Sequence, residues 1–149
     1  HGFFAADDQS LALQTRLDTA TGLLARWGVA GAILPEALVE AADALRRWVA
    51  TTWPGATWHR EWPVFLRLQS GTIGRGFSDL ILETPEGLVV IDHKSFPGST
   101  EQAMERARHH AGQLSAYARA AQSALNAVGV ECYVHLPISG LVVPVLAPQ

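Results

Sequence analysis

Apolar positions recur every three or four residues through the first third of the chain, then give way to short apolar runs separated by turns. From Asp8 to Trp27 the residues Leu13, Leu17, Ala20, Leu24 and Trp27 keep helical spacing, and Gly28 follows as a stop. Pro35 suits the first position of a second helix, which places Leu38, Ala41, Ala42, Leu45, Trp48 and Val49 on one face and ends before Pro54-Gly55. Thr57–Leu68 is rich in aromatic and β-branched residues. Phe77–Glu83 and Leu88–His93 are short apolar runs around a turn at Pro85-Glu86-Gly87. Three consecutive strands in an antiparallel meander are expected. A long helix over Thr100–Val128 follows, then strands at Val130–Leu136 and Leu141–Leu146. No repeat or interdomain linker interrupts this order, so residues 1–149 read as a single domain.

The turn at Pro85 decides which side chains meet across its hairpin. A two-residue loop sets Asp79 opposite Asp92, whereas a three-residue loop with a bulge at Gly87 sets it opposite His93. Two carboxylates facing each other in an apolar sheet repel and raise one pKa unless a cation lies between them. Oxygen ligands favour magnesium or manganese for that cation.

Charge use singles out the same strand. The chain holds eleven basic residues, and the one lysine among them is Lys94, in Asp92-His93-Lys94. Alternation along a strand puts Asp92 and Lys94 on one face. An ammonium there could orient water or offset developing charge, or simply form a structural ion pair at a strand end.

Composition narrows the class. Hydrophobic residues at 48% and charged residues at 17% describe a globular chain with its own core. Cys132, the single cysteine, excludes an internal disulfide and any all-cysteine zinc or iron–sulfur cluster. A net charge of −3 gives no overall basic footprint, so any nucleic-acid contact must be local. No apolar stretch is long enough for a membrane span and no signal segment opens the chain, which predicts a cytoplasmic protein. The start at His1 suggests a piece of a longer protein or a tag remnant.

Asp79, Asp92 and Lys94 on a hairpin flanked by helices resemble the PD-(D/E)XK nuclease superfamily, whose motif is an acid on one strand and D/E-x-K on the next. Gly76-Phe77-Ser78-Asp79-Leu80-Ile81 and Val90-Ile91-Asp92-His93-Lys94-Ser95 are similar to the G-x-x-D-L-I and I-V-D-Y-K-T/S segments of RecB- and AddA-type nuclease domains. Gln113-Leu114-Ser115-Ala116-Tyr117 resembles their Q-x-x-x-Y motif, with His109 one helical turn earlier. His1-Gly2-Phe3-Phe4 is similar to the metal-binding histidine and apolar residues of the family's first helix. The resemblance departs at His93, which replaces a tyrosine whose backbone carbonyl serves as a metal ligand.

This resemblance implies an α/β fold with a restriction-endonuclease-like core in the order αα-βββ-α-β-β, a central mixed sheet flanked by helices. It implies an exonuclease-type, Mg²⁺-dependent deoxyribonuclease, with Mn²⁺ able to substitute and no iron–sulfur cluster. Asp79, Asp92, the His93 carbonyl and His1 would hold the metal, and Asp79, Asp92 and Lys94 would form the catalytic set. Gln113, Tyr117 and His109 would meet DNA, with Arg75 and Arg106 the first candidates for its phosphates ahead of Arg108 and Arg119. The parent would be a superfamily-one helicase–nuclease acting in double-strand-break repair and recombination. This domain would be its C-terminal part, with helicase domains elsewhere in the chain and a second helicase–nuclease subunit as partner. The alternative is a catalytically silent domain of the same fold that binds DNA or a partner subunit.

Other features read more plainly. Gly71-Thr72-Ile73-Gly74-Arg75-Gly76 imitates a phosphate loop but lacks its lysine and precedes a strand, so a turn is expected. His59 and Glu61 share a strand face, with a solvent-facing or supporting role expected for both. His109 and His110 point about 100° apart on a helix and cannot easily chelate one ion. Trp27, Trp48, Trp53, Trp58 and Trp62 could stack bases, but their spacing suits a core.

Overall fold

The computed structural model describes residues 1–67, 70–96 and 98–145, and the chain divides into two compact units, His1–Pro54 and Gly55–Gln149. Leu68 and Leu146, where the first and last strands are predicted to end, lie outside the described residues. The described elements alternate as an α/β chain in which three helices precede a five-stranded mixed sheet.

The first unit holds α1 (Gly2–Ala6), α2 (Leu13–Arg26) and α3 (Pro35–Thr52). Helix α2 begins five residues later than the apolar spacing predicts. The Asp8 carboxylate accepts the Ser10 N–H at 2.8 Å, closing a local turn that competes with helix. Its buried positions are Arg16, Ala20 and Leu24, while Leu13 and Trp27 are exposed. The predicted stripe is therefore displaced toward a buried guanidinium. Arg16 donates to Asp7 at 2.8 and 2.9 Å and to Asp43 at 2.6 Å, and Arg46 donates to the Asp7 carbonyl at 2.9 Å. This network joins the end of α1 to α2 and α3. On α3, Val39, Ala42, Leu45 and Val49 are buried at helical spacing, and Pro35 opens the helix as expected.

The second unit is built on strands β1 (Thr57–Arg67), β2 (Ile73–Thr84), β3 (Gly87–His93), β4 (Val130–Leu136) and β5 (Leu141–Pro144), paired in that order. The β3–β4 pair is parallel and the other three are antiparallel. Strand β2 starts at Ile73, earlier than its apolar run. The turn is confined to residues before it, and Ile73–Gly76 of the glycine-rich segment belong to the strand. Pro85-Glu86 is a two-residue loop, because Thr84 pairs with Gly87 and Leu80 with Ile91. Gly87 has φ +143°, and a Cβ there would collide with the Gly129 carbonyl oxygen. That close approach lets the Leu88 N–H reach the same carbonyl at 2.9 Å and fixes the start of the parallel pair.

Between β3 and β4 the predicted single helix is two, α4 (Thr100–His109) and α5 (Ala111–Leu125), hinged at His110. Ser99 opens α4 with a capping box: its hydroxyl accepts the Gln102 N–H and the Gln102 side chain accepts the Ser99 N–H. Asn126, left-handed at φ 51°, ends α5 before the predicted Val128. Small side chains at Ala103, Ala107, Ala118 and Ala121 join Leu114 to pack these helices on Ile81, Val90 and Val134. Cys132 lies in this core, and burial pushes its thiol up to about 11. No helix among the described residues is long and apolar enough to cross a membrane.

Candidate active site

Strands β1, β2 and β3 present acids at adjacent positions. The β2–β3 ladder places Leu80 opposite Ile91, so the next position aligns Asp79 with Asp92, as the two-residue loop requires. There the Asp79 carboxylate reaches across and accepts the His93 N–H at 2.7 Å. Both aspartates are buried, at 8% and 5% exposure. Burial pushes the Asp92 carboxyl up, the Lys94 ammonium opposes that shift, and the nearby Asp79 charge adds to it.

Lys94 Nζ stands 2.8 Å from Asp92 Oδ2. The contact is an ion pair without the alignment of a hydrogen bond, and Oδ2 is otherwise buried without a hydrogen-bonding partner among the described residues. The Lys94 N–H is held by the His135 carbonyl at 2.9 Å, so the parallel β4 strand anchors its backbone. Its side chain remains about a third exposed.

Glu61 completes the row from β1. The β1–β2 register sets it beside Asp79, and carboxylate oxygens of the two lie within 4.8 Å of each other. Glu61 has φ +48°, a backbone state that costs a non-glycine residue on the order of 1–3 kcal/mol and tends to mark functional positions. The sequence signal for Glu61 was its alternation with His59. What it lacked was the register that puts Glu61, rather than a neighbour, next to Asp79.

The histidines separate. His110, at the α4–α5 hinge, is half-buried, and its pKa is lowered by burial and by Lys94, while Asp92 opposes the shift. His109 is exposed and donates its Nδ1 proton to the Glu105 carbonyl at 2.9 Å. The hinge, absent from a continuous-helix reading, makes His110 the histidine that senses the Asp92–Lys94 pair. The His93 ring hydrogen-bonds His135, Nδ1 to Nδ1 at 3.0 Å. Burial holds His135 down to about 4, so one neutral ring can donate and the other accept. That leaves the His93 backbone as its contribution near the aspartates. His1 is exposed and belongs to the first unit.

On α5, Gln113 donates to the Tyr117 hydroxyl at 3.0 Å. The phenol lies against Gly76 of β2, where a Cβ would come 2.7 Å from its oxygen. The Q-x-x-x-Y pair is thereby seated three residues from Asp79. Arg75 is exposed on β2. Arg106 is exposed on α4 with its guanidinium 4.6 Å from the centre of the Phe96 ring, and Arg108 and Arg119 are exposed as well.

The donor set suits a hard divalent cation. It offers carboxylate oxygens from three strands, one of them the buried Asp92 Oδ2, which lacks an aligned donor and belongs to a carboxyl whose charge burial disfavours.

A profile of the PD-(D/E)XK nuclease superfamily matches residues 5–143. The chain belongs to that superfamily, whose nucleases use divalent metals and act on DNA. Among solved structures, that of SSO0001 is similar at 16% identity with a TM-score of 0.45, over 91% of this chain and 63% of that one. The chain thus spans less than two thirds of the length of that relative. No curated protein matches the sequence.

Proposed function

We propose that this chain hydrolyses DNA phosphodiester bonds with a divalent metal, Mg²⁺ or Mn²⁺. The observation that carries the reading is the convergence of Glu61, Asp79 and Asp92 from three adjacent strands with Lys94 on Asp92. Asp79, Asp92 and Glu61 would hold the metal, with the His93 carbonyl beside them. His1 as a further ligand follows from the family resemblance. When bound, the metal supplies an activated water and neutralises charge that builds on the phosphate.

The chain's own groups do the rest. Lys94 carries a positive charge at a fixed position, because its backbone is tied to β4 and its ammonium to Asp92. It orients the attacking water and offsets charge at the transition state, where a preorganised donor is worth more than in bulk solvent. Gln113 and Tyr117, locked together, position the DNA strand. Arg75 and Arg106 approach phosphates, and His109 lies on the outer side of α4. The wider reading is an exonuclease-type domain of a helicase–nuclease in double-strand-break repair and recombination, working in the cytoplasm with helicase domains and a second subunit. It rests on the RecB- and AddA-like motifs.

The test is cleavage of end-labelled single- and double-stranded DNA with Mg²⁺ or Mn²⁺, comparing the wild-type chain, Lys94→Ala and EDTA. Metal-dependent cutting that Lys94→Ala abolishes is expected. Equal cutting by Lys94→Ala overturns the assignment of Lys94. No cutting by the wild type under any metal favours a silent domain that binds DNA or a partner.

A further inference from the structure

Strand β3 pairs with β2 only from Leu80 onward, so β1 and β2 run on past Asp79 as a two-stranded ribbon. Along it Pro63 stands opposite Phe77 and Phe65 opposite Arg75. Pleating places these four and Ile73 on one face. The opposite face is covered, with Val64 buried and Gly76 under the Tyr117 phenol. The first face is bare: Phe65, Ile73 and Phe77 are 61%, 63% and 53% exposed, and Pro63 and Arg75 are exposed with them. No acid stands among these residues. Two phenyl rings, an isoleucine and a guanidinium in water mark an interaction surface rather than a core remnant.

We propose that this ribbon face binds an unpaired DNA strand, stacking bases on Phe65 and Phe77, pairing a phosphate with Arg75, and leading the strand toward Asp79. The inference rests on the nuclease reading and deepens it by naming the substrate class as DNA with unpaired bases. Three observations favour this occupant. Every base has a π-face, and exposed aromatic platforms flanked by positive charge are how unpaired strands are held. A duplex keeps its base faces stacked inside and offers nothing to a phenyl ring. The face also lies near the site along the chain, because Phe77 is two residues from Asp79 on one strand, about 7 Å along it.

The experiment is fluorescence anisotropy with labelled oligothymidylate and with a duplex of equal length, in EDTA so that nothing is cut. Wild-type chain should prefer the single strand. Phe65→Ala/Phe77→Ala should bind it roughly ten-fold more weakly or worse, and Phe65→Trp/Phe77→Trp should retain binding. Arg75→Gln should flatten the slope of log K against log salt by about 0.7. Both phenyl groups are exposed, so circular dichroism should show the variants folded. Equal affinity for the duplex, or unchanged single-strand affinity in the double alanine variant, overturns the proposal. So does wild-type self-association that the double variant abolishes without any oligonucleotide effect, which would make the face an interface between copies. Separate Mn²⁺ cleavage assays keep the two readings apart. Cutting by the wild type with unchanged binding in the double variant overturns this inference alone. Phe-dependent binding without metal-dependent cutting overturns the nuclease reading and leaves the face standing.

Discussion

Gly76→Ala tests whether α5 is seated on β2 as the geometry requires. The added Cβ would lie 2.7 Å from Tyr117 Oη, 3.2 Å from Cζ and 3.3 Å from Cε1. Ordinary contact begins near 3.4 Å for such pairs, so the oxygen must retreat by about 0.7 Å and the ring edge by less. Because two ring carbons are involved besides the oxygen, rotating the hydroxyl does not relieve the overlap. The whole side chain must shift, which strains its 3.0 Å bond from Gln113. Overpacking of this kind costs roughly 1–3 kcal/mol, and we expect about 2 kcal/mol for Gly76→Ala. Removing the hydroxyl should relieve most of it, since the contacts left by Tyr117→Phe are tight but tolerable. Tyr117→Phe alone should cost about 1 kcal/mol for its lost hydrogen bond. The assay is urea unfolding of the four proteins of a double-mutant cycle, with a coupling energy of at least about 1 kcal/mol expected. An additive cycle would refute the contact, and with it the claim that the Q-x-x-x-Y pair is fixed against the strand that carries Asp79.

Three further outcomes follow from the same structure. Asp92→Asn should weaken Mn²⁺ binding, measured by calorimetry, by at least about ten-fold. It should also raise metal-free stability at neutral pH, because the raised pKa of Asp92 means that its charged form opposes folding once pH exceeds the unfolded value. Lys94→Ala should retain Mn²⁺ binding while losing cleavage, since the role proposed for the ammonium is on water and phosphate rather than on the metal. In the first unit, Asp7 is buried, which raises its pKa, but hydrogen bonds and charge from Arg16 and Arg46 prevail and hold it below the usual carboxylate range. A depressed carboxyl contributes stability that is present above its unfolded pKa and is lost as pH falls through the folded one. Acid unfolding followed by circular dichroism should therefore show a loss below about pH 4. Asp7→Asn should remove that pH dependence and cost roughly 3 kcal/mol at pH 7, because two guanidinium groups lose their buried partner.

Elements whose apolar spacing was long and regular were legible. Helix α3, the strands through Leu80 and Ile91, and β4 sit where periodicity predicts, because burial on one face imposes that period. The errors lie where local polar chemistry competes with it. Asp8 holds Ser10 and delays α2, and Arg16 turns the helix so that Leu13 and Trp27 face water. His110 breaks the long helix two residues before Gly112, a weak signal inside a helical pattern, and the packing of two short helices reveals the hinge. At the site, Asp79, Asp92 and Lys94 were visible as a spaced motif. Glu61 needed the β1–β2 register, and the placing of His110 rather than His109 beside the Asp92–Lys94 pair needed the hinge.

Holding three carboxylates together requires a frame that does not relax away from their repulsion. Leu80, Ile81, Leu82, Val89, Val90 and Ile91 are almost fully buried on the two strands that carry Asp79 and Asp92. A slip of one residue would send each of them to the wrong face of the sheet, so the apolar core opposes register change more strongly than the carboxylates favour it. The hairpin is pinned at its far end by the two-residue loop and by Gly87 pressed on the Gly129 carbonyl. The His93 N–H on Asp79 and the Lys94 ammonium on Asp92 then remove part of the repulsion locally. What is left in the metal-free site is an Asp92 carboxyl raised first by burial and then by the Asp79 charge, beside a left-handed Glu61 backbone, and a divalent cation would offset the electrostatic part on binding. On this account metal affinity and metal-free instability have one origin, and a substitution that improves the second should weaken the first.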